Sequence, residues 1–221
     1  MDEYEFPNLH PGQNEVRKDQ ARFKLIAAGR RWGKTRLGTL LCLEAGLEGG
    51  RAWWVAPSYK MGYVGWRGLQ RLGQQVRGAK LSLVNRMITT PGGGEVQVRS
   101  ADDPQSLRGD GLDLVVLDEC AYMKEQAWSE ALRPSLSDRK GAALFISTPH
   151  GLNWFRDLWQ RGQDDAFPDW QSWSFKTSDN PFIDKDEIEA ARATMLSRIF
   201  RQEYEADFCL LYTSPSPRDR S

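Results

Sequence analysis

Short apolar runs alternate with longer segments of helical spacing along most of the chain. Strand-like runs are "FKLIAA", "RAWWVAP" and "GAALFISTP", and "LDLVVLDE" is an apolar strand that closes on two acids. Between the first two runs, "KTRLGTLLCLEAGL" places its leucines on related faces of a helix. This alternation predicts an α/β fold, with a mainly parallel sheet sandwiched by helices.

The remaining pattern predicts further elements and a division of the chain. A helix is expected over Lys60 to Val76, followed by strands at "KLSLV" and "MITTPGGGEVQVRS" with a hairpin at Pro91 to Gly94, a helix around "LNWFRDLW", a strand at "WQSWSFKT" and a polar helical stretch from Asp184 to Tyr204. The expected boundary is "TSDNPF". We therefore expect a core over residues 1–177 and a small C-terminal helical subdomain over 178–208.

The last thirteen residues, "CLLYTSPSPRDRS", differ in character from the chain before them. They resemble a sequencing adapter translated in one frame, and the alternative is a disordered Ser-Pro tail. We interpret residues 209–221 as non-native and exclude them from fold reasoning. The natural protein is then expected to continue past Phe208.

Composition narrows the class of protein. Lys and Arg total 30, as do Asp and Glu, so bulk charge gives no case for a free-standing nucleic-acid binder. No apolar run approaches the roughly 18 residues of a membrane span, and the acidic start lacks a secretory leader. Three cysteines without a CxxC pair indicate reduced thiols in a cytosolic setting, and two histidines leave little material for zinc sites.

The segment "AAGRRWGKTRLG" ends in a phosphate-binding signature that lacks its usual first glycine, at Ala28. Gly29 and Gly33 supply permissive backbone, Lys34 the charge that spans the phosphates, and Thr35 a hydroxyl for Mg²⁺. The alternative is a glycine-rich turn without a ligand, but the loop follows an apolar strand and opens a helix. The predicted nucleotide-binding residues are Ala28, Gly29, Arg30, Arg31, Trp32, Gly33, Lys34 and Thr35.

Two acids at the end of a later apolar strand complete this pattern. We assign Asp118 to Mg²⁺ and Glu119 to general base or water positioning, a division typical of nucleoside triphosphate hydrolysis. The alternative for these acids is a solvated turn. The next strand ends in Ser147 and Thr148, which a parallel sheet would deliver near the γ-phosphate, although a simple strand-terminating turn fits the tripeptide equally well.

Together these motifs resemble the N-terminal ATPase domain of the tailed-phage terminase large subunit. The resemblance covers, in order, "HPGQNEV", "AAGRRWGKT", "WWVAPSYK", "SLRGDGLDLVVLDECAYM", "FISTPHG", "TSDNPFI" and "FRQEYEADF". It implies a P-loop NTPase fold of the RecA-like, additional-strand type. It also implies ATP and Mg²⁺ as cofactors, with ATP hydrolysis powering the translocation of double-stranded DNA into a procapsid.

The resemblance implies further roles at matching positions. Gln13 would contact adenine, with a surface glutamine as the alternative. Arg30 or Arg31 would act as an internal arginine finger on the γ-phosphate, and the sequence does not say which of the two pairs with carboxylates instead. Arg108 would reach a neighbouring subunit's nucleotide or form a local salt bridge. Ser147 and Thr148 would couple hydrolysis to DNA movement and are counted with Glu119 among the catalytic residues.

The implied partners are double-stranded DNA, a portal protein and the terminase small subunit, with the chain in a homo-oligomeric ring on the procapsid and away from membranes. The implied location is the cytoplasm of the infected bacterial host. A nuclease domain of RNase H-like type is expected beyond residue 208. Two other functions stay open, a helicase-like DNA- or RNA-dependent ATPase and a nucleotide-binding switch that acts through partners.

Two other patterns have a simpler interpretation. Basic residues between Arg67 and Arg86 could touch DNA phosphates, but a solvated helix face is favoured. Most tryptophans fall in segments expected to form strands and packed helices, so core packing is favoured over base stacking for Trp53, Trp54, Trp154, Trp159, Trp170 and Trp173.

Overall fold

The computed structural model describes residues 8–208, which fold around one eight-stranded sheet. In chain order the strands are β1 (Phe23–Ala28), β2 (Arg51–Ala56), β3 (Lys80–Ser82), β4 (Met87–Thr89), β5 (Glu95–Ser100), β6 (Leu114–Asp118), β7 (Ala142–Ser147) and β8 (Trp170–Phe175). Their order across the sheet is β3-β4-β5-β2-β6-β7-β1-β8. Among the described strands, only β4 runs opposite to the rest, pairing antiparallel with both β3 and β5, which confirms the mainly parallel sheet.

Helices cover both faces of this sheet. They are α1 (Pro11–Lys18), α2 (Lys34–Leu47), α3 (Tyr59–Gly73), α4 (Arg133–Ser135), α5 (Trp154–Arg161), α6 (Lys185–Thr194) and α7 (Ser197–Tyr204). A π-helical segment, Ala127–Leu132, leads directly into α4. The predicted polar helical stretch is in fact two helices, because the backbone is extended at Met195 and Leu196. Neither α1 nor the π-helical segment was predicted, and residues 209–221 lie outside the described residues.

The two faces of the sheet carry separate hydrophobic cores. Trp53 and Trp54 are neighbours on β2 and point to opposite faces, as successive strand residues must. Trp53 shares its core with Phe145 and the π-helical segment, whereas Trp54 packs with Leu69 of α3 and the apolar side of α2. The four central strands, β1, β2, β6 and β7, are buried on both faces, which explains their nearly continuous apolar runs. The predicted core role of the tryptophans is confirmed for Trp53, Trp54, Trp154, Trp159, Trp170 and Trp173.

The sheet order brings three strand ends together. Strand β7 lies between β1 and β6, with Ala27 paired to Ser147 and Asp118 paired to Ile146. Because parallel strands end at the same edge, the phosphate loop after β1, the acids after β6 and the hydroxyls after β7 meet there. This inserted strand confirms the RecA-like, additional-strand arrangement that the resemblance implies.

Candidate nucleotide-binding site

A cleft of about 700 Å³ opens at the edge where β1, β6 and β7 end. One wall is the phosphate loop, the other is the first part of α3, and the residues that follow β6 and β7 close one side. Half of the predicted site residues line it, namely Arg30, Arg31, Gly33, Lys34, Thr35, Glu119 and Thr148. The lining also includes Met61, Val64 and Tyr122.

The phosphate loop needs glycine at Gly29 and Gly33 for steric reasons. A Cβ atom on Gly29 would lie 2.5 Å from Thr177 Oγ1 and 2.6 Å from the carbonyl oxygen of Tyr204. Gly33 caps α2 with a left-handed backbone, at a φ of 109°, and a Cβ there would lie 2.4 Å from Gln13 Nε2. Ala28 is the buried last residue of β1, so the departure from the usual signature falls where a methyl group is accommodated.

Helix α1 clamps the loop from the N-terminal side. Gln13 is buried, and its Nε2 donates to the carbonyl oxygen of Gly33 at 2.9 Å while its Oε1 accepts from the His10 amide at 3.1 Å. His10 Nε2 donates to the carbonyl oxygen of Trp32 at 2.8 Å, and the Trp32 ring stacks on Phe175 at 4.4 Å between centroids. Gln13 therefore positions the loop, and its predicted contact with adenine stays a prediction. No role was predicted for His10 from the sequence.

Lys34 lies at the base of the cleft and is almost completely buried. Its Nζ donates to the carbonyl oxygens of Ala28 at 2.7 Å and Gly29 at 3.1 Å. Burial lowers the pKa of Lys34, while the nearby carboxylates of Glu119 and Asp118 act in the opposite direction. A buried ammonium held only by carbonyl oxygens is well suited to pair with phosphate oxygens.

Asp118 and Glu119 occupy different environments at the end of β6. Burial raises the pKa of Asp118 to about 8, and the Glu119 carboxylate adds to this effect. Glu119 adopts a left-handed backbone, with a φ of 50°, a strained conformation that is often found at functional sites. Its Oε2 accepts from Ser147 Oγ at 3.2 Å, from the Thr148 amide at 3.4 Å and from Thr148 Oγ1 at 3.5 Å. The structure thus brings the hydroxyl groups of Ser147 and Thr148, at the end of β7, into contact with Glu119, the second of the two acids.

The two loop arginines have different surroundings. Arg30 forms an ion pair with the mostly buried Glu203 of α7, and this contact raises the pKa of Arg30. The same guanidinium lies within electrostatic range of Glu119 and Lys34. Arg31 has a left-handed backbone with a φ of 61°, and its exposed side chain lies between the cleft and a second pocket beside α6. The arginine that pairs with a carboxylate is therefore Arg30.

The turn before α6 holds both arginine peptides. Thr177 Oγ1 donates to the carbonyl oxygen of Arg30 at 2.8 Å, and Asn180 Nδ2 donates to that of Arg31 at 2.6 Å. Thr177, Asn180 and Glu203 lie in the quoted motifs "TSDNPFI" and "FRQEYEADF", but no role was predicted for them. They contact loop residues that lie 147 to 173 positions earlier in the chain. The spacing of the motifs along the chain does not predict this contact.

Arg108 lies outside the cleft, after a short 3₁₀ turn over Pro104–Leu107. Its guanidinium forms a half-exposed ion pair with Glu130 at 3.2 Å. The local salt bridge that the sequence analysis considered is therefore present. The role of Arg108 towards a neighbouring subunit stays a prediction.

Magnesium fits the oxygen donors at this edge. Thr35 presents a hydroxyl to the cleft from the first turn of α2. Asp118 supplies a carboxyl group, and its burial opposes ionisation. Mg²⁺ prefers such hard oxygen ligands and is commonly held by one or two protein groups plus phosphates. Over residues 8–208 no cluster of three or more His, Cys, Asp or Glu side chains forms a separate metal site. In the same range, no helix has the length and apolar character to span a bilayer.

Comparisons with known proteins agree with this geometry. Residues 25–213 match the family model "Terminase large subunit, T4likevirus-type, N-terminal". The large terminase subunit of Escherichia phage T5 is 36% identical over an alignment of 205 residues that covers 88% of this chain and 46% of that protein. The chain thus spans about half the length of this relative.

Two solved structures share the fold. The large terminase ATPase domain of Thermus phage P74-26 has a TM-score of 0.75 at 29% identity, covering 91% of this chain and 94% of that one. The large terminase of another thermophilic bacteriophage, solved in complex with ADP, has a TM-score of 0.72 at 17% identity, covering 90% and 53%. The family match favours the terminase interpretation over the helicase-like alternative. The chain belongs to the terminase large-subunit family and contains its N-terminal region.

Proposed function

We propose that the chain is the ATPase motor domain of a DNA-packaging terminase, which uses Mg²⁺-dependent ATP hydrolysis to move double-stranded DNA into a viral procapsid. The observation that carries this proposal is the convergence of Lys34, Asp118 and Glu119 at one sheet edge, with Ser147 and Thr148 bonded to Glu119. A hydrolytic motor requires a lysine that binds phosphate, a carboxylate that binds the metal and a second acid that activates water. It also requires a strand that contacts this second acid and can move with it.

Nucleotide binding would use the loop backbone and the base of the cleft. The β-phosphate would lie on the amides between Gly29 and Thr35, at the positive end of α2. Lys34 would exchange its two carbonyl partners for phosphate oxygens. Thr35 and Asp118 would hold Mg²⁺, which when bound neutralises charge that develops on the phosphates.

Hydrolysis would use Glu119 and Arg30. Glu119 would orient a water for in-line attack and accept its proton, since its carboxylate lines the cleft beside Thr148. Of the two loop arginines we assign the internal finger to Arg30, because its guanidinium lies within electrostatic range of Glu119 and Lys34. The negative charge of a triphosphate would compete with Glu203 for this guanidinium.

Two elements would transmit the state of the nucleotide. Ser147 and Thr148 bond the Glu119 carboxylate directly, so a change at this acid reaches β7 within one contact. Glu203 connects Arg30 to α7, and we propose that the helical region 178–208 acts as a lid on the core over residues 1–177. The shared ion pair couples these two parts.

The wider assembly follows from the family. We propose that copies of the chain form a ring on the procapsid in the cytoplasm of the infected host, with a portal protein and a terminase small subunit as partners. Arg108 would then have access to a neighbouring subunit's nucleotide if it leaves Glu130, an exposed pair of little energetic value.

The test is Glu119→Gln, with Glu125→Gln as a matched change at an exposed glutamate. The amide retains the size of the carboxylate but cannot accept the water proton, so ATP turnover should fall by about 10²- to 10⁴-fold. ATP affinity, measured by calorimetry, should survive in both variants. Turnover near the parent value in Glu119→Gln would refute the base assignment. Stimulation of the parent turnover by duplex DNA would distinguish a motor from a nucleotide switch.

A further inference from the structure

A second groove adjoins the nucleotide cleft on the outer side of α2 and α3. It encloses about 530 Å³ and shares Thr35 and Val64 with the cleft. Three arginines line it, Arg36 from α2 and both Arg67 and Arg71 from α3, and its lining contains no acidic residue. The nucleotide cleft, in contrast, contains the carboxylate of Glu119.

These arginines lack the partners that occupy most others. Over residues 8–208, the guanidinium groups of Arg36, Arg67 and Arg71 form no ion pair or hydrogen bond, and Arg67 only lies over the Tyr63 ring at 5.5 Å. Other surface arginines such as Arg51 and Arg139 are paired with carboxylates. The sequence favours a solvated face for α3, but the structure adds a third arginine from a different helix to the same groove.

Close packing of the two helices creates the groove. A Cβ atom on Gly68 would lie 3.1 Å from Thr39 Cγ2, so the missing side chain lets α3 approach α2 at this point. Arg67 and Arg71 flank Gly68 and are four residues apart, about 6 Å along the helix axis. Arg36 comes from the opposite wall. The result is a short basic channel with positive charge on both walls.

We propose that this groove binds the phosphate backbone of double-stranded DNA. The proposal rests on the proposed function, which makes DNA the substrate. Guanidinium groups bind phosphate oxygens in a planar, bidentate geometry, and phosphate contacts fix DNA without regard to its sequence, as a translocating motor requires. An acidic protein partner fits less well, because a stable protein interface needs an apolar centre and the residues that line this groove are mostly polar or charged.

The position of the groove links DNA to ATP turnover. Arg36 directly follows Thr35, and Val64 contributes to both the groove and the cleft. DNA on the groove would therefore contact the first turn of α2, which also carries the phosphate lysine and the Mg²⁺ hydroxyl. We expect duplex DNA to raise the turnover through this helix.

The test compares two charge reversals of equal size in the complete 221-residue chain. One variant is Arg67→Glu with Arg71→Glu, and its control is Lys18→Glu with Lys124→Glu, at exposed lysines away from the groove. Binding of a fluorescent duplex of about 30 base pairs is followed by anisotropy over a range of salt concentrations. Each lost phosphate contact lowers the salt slope by about 0.9, so the groove variant should lose about 1.8 and bind at least about tenfold more weakly, with the control unchanged.

Basal ATP turnover without DNA should be equal in both variants and the parent, because neither pair belongs to the nucleotide machinery. This readout separates a failure of the DNA assignment from a failure of the proposed ATPase. The DNA proposal is overturned by equal duplex affinity in both variants, or by a parent without salt-dependent binding. It is also overturned if the groove variant loses affinity for poly-glutamate as strongly as for the duplex. A loss of affinity for labelled ATP with unchanged affinity for the duplex would overturn it as well.

Discussion

The two walls of the nucleotide cleft are built in opposite ways. On the phosphate-loop wall, side chains from distant parts of the chain bond the loop carbonyls of Arg30, Arg31, Trp32 and Gly33. On the α3 wall, Met61 and Val64 face the cleft with large exposed surfaces. The first wall is organised by the fold itself, whereas the second has an outer surface that remains available to a ligand or partner.

The difference arises within α3 and is not a sign of a weak helix. Its inner side packs tightly on the sheet, where a Cβ atom on Gly65 would lie 2.2 Å from the Trp54 ring, and Leu69 is completely buried. Its outer side carries Tyr63 and Val64, each about half exposed. The same helix is therefore fixed by its inner face and free on its outer one, and substitutions on each wall should give different kinds of effect.

The largest effect is expected at the organised wall, in catalysis. Arg30→Ala should lower ATP turnover by about 10³-fold, the lower end for an arginine finger, because it removes a guanidinium that lies within electrostatic range of Glu119 and Lys34. Arg31→Ala, one position along the loop, is the matched control and should lower turnover by less than about tenfold. Steady-state kinetics with saturating ATP measures both.

Glu203→Gln separates catalysis from pairing. It breaks the ion pair with Arg30 but leaves the guanidinium in place, so turnover should stay within about tenfold of the parent. A loss at Glu203→Gln equal to that at Arg30→Ala would show that the pair, and not the guanidinium, is what turnover needs. A larger loss at Arg31→Ala than at Arg30→Ala would reverse the assignment of the finger.

The next effect is on stability and divides α3 itself. Leu69→Ala removes a fully buried side chain and should lower the free energy of unfolding by about 2–5 kcal/mol. Val64→Ala, on the outer face of the same helix, should change it by no more than about 0.5 kcal/mol. Urea unfolding followed by circular dichroism measures both. A large loss at Val64→Ala would mean that the outer wall is as organised as the inner one.

The sequence predicts the local features of this molecule well and the contacts between distant segments poorly. Apolar runs predicted the central strands β1, β2, β6 and β7, and the signature around Lys34 predicted its place between a strand and a helix, because these signals are local. Asp118 and Ser147 could be placed at one edge because parallel strands share a direction. Helix α1 escaped prediction because it is short and polar, with only Gln13 and Val16 buried.

The partners of the loop could not be predicted, because they depend on tertiary contact between distant segments. Glu203 is one of several acids in the polar stretch predicted from Asp184 to Tyr204, and its pairing with Arg30 joins positions 173 residues apart. The same reason left the choice between Arg30 and Arg31 open. The cluster of groove arginines could not be predicted either, because it depends on the packing of α2 on α3, which places Arg36 in the same groove as Arg67 and Arg71.

An effect on stability of similar size is expected to depend on pH, at the base of the organised wall. The pKa of Asp118 is raised from 3.8 to about 8, chiefly by burial, so the folded state retains a proton that the unfolded state has lost. The resulting stabilisation is complete below about pH 4 and is lost as pH rises through 8. The parent should therefore lose at most about 1.4 kcal/mol per pH unit between these limits from this group.

Asp118→Asn removes this proton and should flatten the profile, whereas Asp138→Asn, at an exposed carboxylate, should leave it unchanged. Urea unfolding at about pH 5 and about pH 8, without Mg²⁺, measures the difference between them. A parent that gains stability relative to Asp118→Asn as pH rises between these two values would contradict the sign.

The smallest effect tests a single bond of the organised wall. Asn180 Nδ2 donates to the carbonyl oxygen of Arg31, while Asn180 Oδ1 accepts from the Phe182 amide at 3.0 Å. Asn180→Asp keeps the second contact and removes the first donor, so it should lower the free energy of unfolding by about 0.5–1.5 kcal/mol. Amide exchange near Arg31 should accelerate, because the left-handed backbone at this residue, with a φ of 61°, loses its restraint. Ser178→Ala, in the same turn and exposed, is the control. Unchanged exchange in Asn180→Asp would mean that Arg31 is held by the remaining loop contacts alone, and that the wall does not depend on the turn before α6.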